Sequence, residues 1–301
     1  MPDFLTHHLF GQALFPTQEV MSLVARREDT SVYLWSQQGP DLLYFRGAIT
    51  GQPLGALATR LHREAPGQFF YSGARYVAAQ EGRVREIAMA AFGGLLGHYV
   101  LDRTLHPYVL ARQQELGGVY PGLGPQALHI QIETDLDTDL HALWRKAPVS
   151  QFRPWDQLAL DDAQRELLAR FWTQLILDSC KISIDPAQII KALDDGLFYQ
   201  KLLYRGGGGV RLAARGVEVF LGGRGTLSGR VKHHRPRWDS LNLGGAPWVD
   251  LRGSTRTDTV PQLLAQAQTQ TRQLMADYLA MWEQGEIQYR IFEETYLGQP
   301  G

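Results

Sequence analysis

The segment GHYVLDRTLHPYV, residues 97–109, sets His98, Asp102 and His106 at intervals of four inside an otherwise apolar run. Residues four apart lie on one face of a helix, about a turn from each other. A charge buried without a partner is costly, so a row of such groups calls for a compensating centre. His129 and Glu133, in HIQIETDLD, repeat the spacing with the longer carboxylate. Neutral imidazole and carboxylate oxygen both bind zinc, at about 2.0–2.2 Å. His98 and Asp102 can share one ion, and His106 lies one turn further along. Three protein ligands with an open position mark a catalytic rather than a structural zinc. The bland alternative is a surface hydrogen bond or ion pair at each place. Both pairs are embedded in apolar sequence (GGLLGHYVLD, ALHIQIE), where each would need its own buried partner, and one metal cluster answers for both.

Three further residues fit the same chemistry. Asp41 follows a Gly-Pro turn in QGPDLLYF, His62 lies in RLHRE, and His7 stands in THHLFG. Taken singly, an Asp after Gly-Pro reads as a helix N-cap, and a helical His as a solvated or satisfied core residue. His8 is an alternative to His7 for facing the metal. In chain order the set is His, Asp, His, then His-x3-Asp, His, then His-x3-Glu.

The elements that must position these residues are helical. Apolar periodicity with Gly and Pro breaks predicts helices over roughly 4–14, 17–27, 54–65, 67–80, 84–113 and 126–146. Pro107 is expected to end or bend the fifth. Asp161–Lys181 reads as an amphipathic helix opening on an acidic pair, and Asp185–Pro186 starts another. The stretch from Arg205 to Asp258, with RGGGGVRLAARG and LGGRGTLSGR, is glycine-rich and is expected to be irregular. A final helix is expected over Thr259–Gln284, followed by a short aromatic tail. The reading is an all-α protein. Residues 1–204 form a helical domain, and 205–301 form a glycine-rich irregular segment plus final helix, packed on the same domain.

Composition narrows the function classes. A formal net charge of −1 gives no global attraction to nucleic acid or anionic membrane. One cysteine, Cys180, excludes an intrachain disulfide framework and a cysteine zinc site. The opening MPDFLTHHLF lacks the basic and apolar regions of a secretory leader, and no run reaches transmembrane length. A cytoplasmic address is expected, with peripheral contact to a membrane left open. GRVKHHRPRW, residues 229–238, reads as a solvated basic loop or a lipid-headgroup or nucleic-acid contact with Trp238 as a stacking platform. His233 and His234 belong to that loop rather than to the metal. Phe4, Phe45, Phe69, Phe70 and Tyr71 are core residues or the lining of an apolar cleft.

The motifs THxxFG, QGPD, LH, GHxxLDxxxHPY and HxxIExxxD, at Thr6–Gly11, Gln38–Asp41, Leu61–His62, Gly97–Tyr108 and His129–Asp137, together resemble the zinc-dependent phospholipase C family, in its bacterial intracellular branch. DSLNLGGAPWVD near the C-terminus looks like the same branch. The family shares its fold with the fungal single-strand-specific zinc nucleases. The resemblance implies an all-α domain holding two or three zinc ions. Asp41, His62, His98 and Asp102 would hold the first, and His106, His129 and Glu133 the second. His7 with Asp102 would hold the third. It also implies Asp41 as general base. The secreted members place a terminal amine on the third zinc, and Pro2, bared by removal of Met1, stands five residues before His7 in the same relation.

The expected activity is that of a hydrolase, a zinc-dependent phosphoesterase acting on a phosphodiester or phospholipid by metal-activated water. A nuclease or nucleotidase on the same fold is the alternative enzyme, with nucleic acid the less favoured substrate. A non-catalytic zinc-binding interaction protein is the third reading. No P-loop, HExxH or adjacent His-Asp motif is present.

Overall fold

A single helix, α7, runs for 38 residues from Gly82 to Val119, about 57 Å at 1.5 Å per residue. It is buried on most sides from Ile87 to Leu116, because its apolar residues are spread around the axis rather than gathered in one stripe. The computed structural model of the protein describes residues 4–46, 54–120, 123–205, 207–220, 228–232 and 238–300. Ahead of α7 come α1 (Phe4–Leu14), α2 (Gln18–Leu23), α3 (Thr30–Ser36), α4 (Leu42–Phe45), α5 (Leu54–Arg63) and α6 (Gly67–Ala78). After it come α8 (Pro125–Arg145), α9 (Asp162–Cys180), α10 (Pro186–Arg205), α11 (Gly207–Phe220) and α12 (Val260–Gln284). The strands β1 (Trp248–Val249) and β2 (Thr255–Arg256) pair antiparallel, Trp248 opposite Arg256. Among the described residues the fold is all-α apart from that pair and an isolated bridge between Glu294 and Pro300.

Helices α1, α2, α3, α6, α8, α9 and α12 all pack against α7. The aromatic core lies along it: Phe92 meets Phe70, Tyr278 and Trp282 edge-on, and Tyr99 meets Phe70 and Phe292. Burying such rings stabilises by roughly 1.5–3 kcal/mol each relative to exposure. Phe69 and Phe70 are therefore core residues. Tyr71 packs edge-on against Tyr289, and Phe4 and Phe45 pack on each other. Capping boxes open α9 (Asp161 with Gln164) and α12 (Thr259 with Gln262), where the sequence placed these starts.

Two expectations need correction, and a third is narrowed: of the two outcomes expected at Pro107, an end to the helix is excluded, since α7 continues to Val119. The lost N–H frees one carbonyl, that of Arg103, and packing of Leu105, Tyr108, Val109 and Leu116 holds the helix together across the gap. Gly298, with φ +67°, closes over this spot; a Cβ there would fall 2.7 Å from the Arg103 oxygen and 2.8 Å from the Pro107 ring. The first part of the glycine-rich stretch is helix α11 rather than irregular chain. Three of its four glycines occupy the first turn, where amide groups lack intrahelical partners in any case, and VRLAARGVEVF carries the helical pattern with Gly216 the one interior glycine. The helix expected over 17–27 is only Gln18–Leu23, and α3 and α4 were not anticipated.

Among the described residues no helix is long and apolar enough to cross a membrane.

Candidate metal centre

His7 from α1, Asp41 from the turn Gly39–Asp41, His62 from α5, and His98 and Asp102 from α7 meet in the interior. His7 Nε2 lies 3.1 Å from Asp102 Oδ1, His98 Nε2 3.4 Å from Asp102 Oδ2, and His62 Nε2 3.1 Å from Asp41 Oδ1 and 3.7 Å from Asp102 Oδ2. Beside this group stands a second, His106 from α7 with His129 and Glu133 from α8, where His129 Nε2 is 2.9 Å from Glu133 Oε1. In His7–His98–Asp102, in Asp41–His62–His98 and in His106–His129–Glu133, one ligand atom per residue lies within 4.8 Å of the others. Asp102 sits between the groups, its Oδ1 3.9 Å from His106 Nδ1.

Glycine makes the first group possible. Gly94 and Gly97 let α3 press onto α7; a Cβ at Gly94 would stand 2.5 Å from the Tyr33 carbonyl, and one at Gly97 2.6 Å from the Gln37 amide. Gly39, with φ +50°, turns the chain directly over His98, whose ring a Cβ would meet at 2.1 Å. This close approach carries the Gln37 carbonyl to 3.0 Å from His98 Nδ1.

The same arrangement recurs at three other imidazoles. His62 Nδ1 bonds the Ala58 carbonyl (2.7 Å), His106 Nδ1 the Asp102 carbonyl (3.0 Å), and His129 Nδ1 the Gln113 side-chain oxygen (2.7 Å). A carbonyl oxygen only accepts, so Nδ1 carries the proton and Nε2 presents its lone pair. Metal-binding imidazoles are oriented in this way. Burial, reinforced by the His7 and His62 imidazoles, holds His98 far below the usual histidine pKa, and burial does the same to His106. Both are held in the neutral form that binds metal. Burial above all, and Asp102, push the Asp41 carboxyl up against the pull of His62. Burial would lower His62, but the Asp41 and Asp102 carboxylates outweigh it and raise it.

The first group is not satisfied by its own hydrogen bonds. Both nitrogens of His7, Nε2 of His62 and of His98, Oδ1 of Asp41 and both oxygens of Asp102 are buried without a hydrogen-bond partner. The 3.1 Å approaches are short enough for hydrogen bonds but wrongly directed; lone pairs converge on shared space. So many orphaned polar atoms in one interior would be very costly together. A cation in that space satisfies them at once, and the buried His/Asp clusters could hold a metal ion.

All eight residues singled out by spacing and motif order are brought into these two groups: His7, Asp41, His62, His98 and Asp102, and His106, His129 and Glu133. His8 is turned away, 2.8 Å from Gln157 Oε1, its pKa lowered to about 4 chiefly by burial. Pro2, His233 and His234 lie outside the described residues. The basic run 229–238 is not wholly a solvated loop: Lys232 is buried, 3.3 Å from Asp137 Oδ2, and the Trp238 indole donates to Asp135 (2.7 Å). Both are engaged in the fold.

Two residues escaped sequence reasoning. Asp137 accepts from the Leu5 and Thr6 amides (3.2 and 2.9 Å), the Thr6 hydroxyl (2.6 Å) and the Tyr204 hydroxyl (3.1 Å). It serves the amino end of α1 as a cap lent by α8, and so fixes His7 one residue on. Its place one turn beyond Glu133 was the available signal. Tyr296, from the tail after α12, packs its ring 5.3 Å from His62 and 5.6 Å from His98. Burial first, then Tyr99 and the Asp102 and Asp41 carboxylates, push its pKa well above the ordinary tyrosine value. Nothing local in sequence points to it.

Exposure is uneven. The side chains of His7, His98, Asp102 and His106 are at 0%, whereas Asp41 reaches 11% and His129 22%. A cavity of about 400 Å³ between α8 and α11 is lined by Ala127 and Gln131, which point away from the His129 face of α8, so it is not part of the centre. No family model, curated protein or solved structure matches the chain.

Proposed function

We propose that the protein is a zinc-dependent phosphoesterase of the phospholipase C type, hydrolysing a phosphodiester or phospholipid. The observation that carries this reading is the convergence of eight imidazole and carboxylate side chains on two adjoining groups that meet at Asp102. A mixed nitrogen and oxygen donor set without thiolate suits zinc among the common metals. His7, Asp41, His62, His98 and Asp102 would hold one or two ions, and His106, His129 and Glu133 another. Ions bound there supply Lewis acidity toward a phosphate oxygen and lower the pKa of water from 15.7 toward about 7.

The chain's own part is orientation and proton transfer. Asp41 is the carboxylate of the first group that reaches solvent, 11% against 0% for Asp102, so it is the one an entering water meets. As the general base that the family resemblance implies, it would take the proton of that water, with His62 3.1 Å away as its neighbour in the group. The Nδ1 bonds of His62, His98, His106 and His129 keep the ring orientations fixed through the reaction. A cytoplasmic setting, with peripheral approach to membrane for a lipid substrate, belongs to the same proposal and agrees with a single, free cysteine.

Elemental analysis of purified protein beside a His98→Ala, His129→Ala double variant tests the centre. Two to three zinc equivalents in the wild type, lost in the variant, are expected. Wild-type protein that neither contains nor takes up zinc overturns the proposal. Hydrolysis of a generic phosphodiester separates an enzyme from a non-catalytic zinc protein. Diacylglycerol release against cleavage of single-stranded nucleic acid then separates the lipase from the nuclease.

A further inference from the structure

The tail beyond α12 does more than cover the core. Phe292 packs on Phe70 and Tyr99, the Tyr99 hydroxyl donates to the Glu294 carbonyl (2.8 Å), and Arg252 bonds the Glu294 carboxylate (2.6 Å). The chain then closes a turn, Thr295 N bonding the Gln299 carbonyl at 2.8 Å and Gly298 N the Thr295 carbonyl at 3.0 Å. That turn presents Tyr296 to the first ligand group. Its ring lies against His62, His98 and Tyr99, with 1% of the residue exposed.

The hydroxyl is the anomaly. It is buried and has no hydrogen-bond partner. Buried phenols almost always find one, and Phe would fill the same space without leaving a polar atom unpaired. The neighbouring imidazoles do not accept from it: His62 and His98 donate their Nδ1 protons elsewhere, and their Nε2 atoms face the carboxylates. Among the described residues nothing accepts from it, which leaves the acceptor to a bound ligand.

We propose that the Tyr296 hydroxyl donates a hydrogen bond to a phosphoryl oxygen of the substrate bound at the His62–His98 side of the centre. Tyr296 is then a catalytic residue contributed by the C-terminal tail, and a specificity element for phosphoryl groups. The inference rests on the phosphoesterase reading above.

The test uses full-length wild-type and Tyr296→Phe protein, each loaded with zinc, with inorganic phosphate as the probe in titration calorimetry. A hydrogen bond to a charged oxygen is worth a factor of about 10–100 in affinity. Phosphate binding is expected to weaken by that factor, with zinc content unchanged. Without zinc, Tyr296→Phe is expected to melt no lower than wild type, since its hydroxyl satisfies nothing there. Equal phosphate affinity in the two proteins overturns this inference alone. Loss of zinc in the variant makes Tyr296 a metal ligand and overturns it as well. A lower melting point of the zinc-free variant reveals a protein partner for the hydroxyl and likewise overturns it. Wild-type protein that holds zinc but binds no phosphate overturns the phosphoesterase reading, and this inference falls with it.

Discussion

The two ligand groups are built on different principles. The second takes two of its three members from adjacent turns of α8 and the third from the neighbouring α7, with His129 partly open to solvent. The first gathers five members from α1, a turn, α5 and α7, and its central pair, His98 and Asp102, is wholly enclosed. A local group needs only helix geometry and one helix–helix contact. A convergent group needs every element in place, and it leaves more orphaned polar atoms when no cation is present. The first group should therefore depend more on the whole fold, and the second more on its own side chains.

Asp102→Asn is the largest expected break in that comparison. Asp102 lies within 4 Å of His7, His62, His98 and His106, so removing its charge should empty the first group and weaken the second. At least one zinc equivalent should be lost by elemental analysis, and phosphodiester hydrolysis should fall roughly a thousandfold, the equivalent of about 4 kcal/mol. Activity within tenfold of wild type would deny Asp102 its place between the groups.

Glu133→Gln should cost less and act locally. About one zinc equivalent should disappear while the first group keeps its metal. Loss of all zinc from this variant would show that the groups are one site.

Acid tests both groups, because burial holds one imidazole of each, His98 and His106, below the usual histidine pKa. The folded-state pKa values of His98, His106 and His8 are depressed, His8 from 6.5 to about 4. Between those values the unfolded chain binds protons that the folded chain refuses, so stability present above pH 6.5 is lost as pH falls toward 4. The loss from His8 alone is about 3 kcal/mol. Denaturant midpoints of zinc-free protein should fall steadily over this window; a flat profile would mean that these imidazoles are not held neutral. Zinc-loaded protein should release metal over the same window as protons compete for the ligands.

Gln113→Leu is the mildest probe. It removes the acceptor that orients His129 while sparing every ligand, and should weaken zinc at the second group about 10- to 100-fold in chelator competition. The first group, oriented at His62 and His98 by backbone carbonyls, should not respond.

Local spacing made His98 with Asp102, and His129 with Glu133, legible as pairs, because i to i+4 on a helix is set by backbone geometry alone. His7, Asp41 and His62 were legible only through the order of motifs, since no short-range rule joins three separate elements. Most helices were readable from periodicity and breaks. Pro107 left two outcomes open because its cost depends on what packs around it, and the glycine-rich stretch misleads because three of the four glycines of α11 fall in its first turn, where they do little harm. Tyr296 was out of reach, since it acts on residues more than a hundred positions away and no local pattern marks it; Asp137 closes the HxxIExxxD motif, but its role depends on Leu5 and Thr6, more than a hundred positions away.

The residues alone determined that this chain is helical, that it carries too many interior imidazoles and carboxylates for an ordinary core, and that two pairs of them share helix faces. Those properties follow from side-chain chemistry and the 3.6-residue turn. Folding in three dimensions decided the rest: that α3 approaches α7 closely enough to orient His98, that His7 rather than His8 faces the ligand groups, and that a tyrosine far along the chain packs against the centre. Contacts of that kind are chosen by packing between elements distant in sequence, and only the assembled core specifies them.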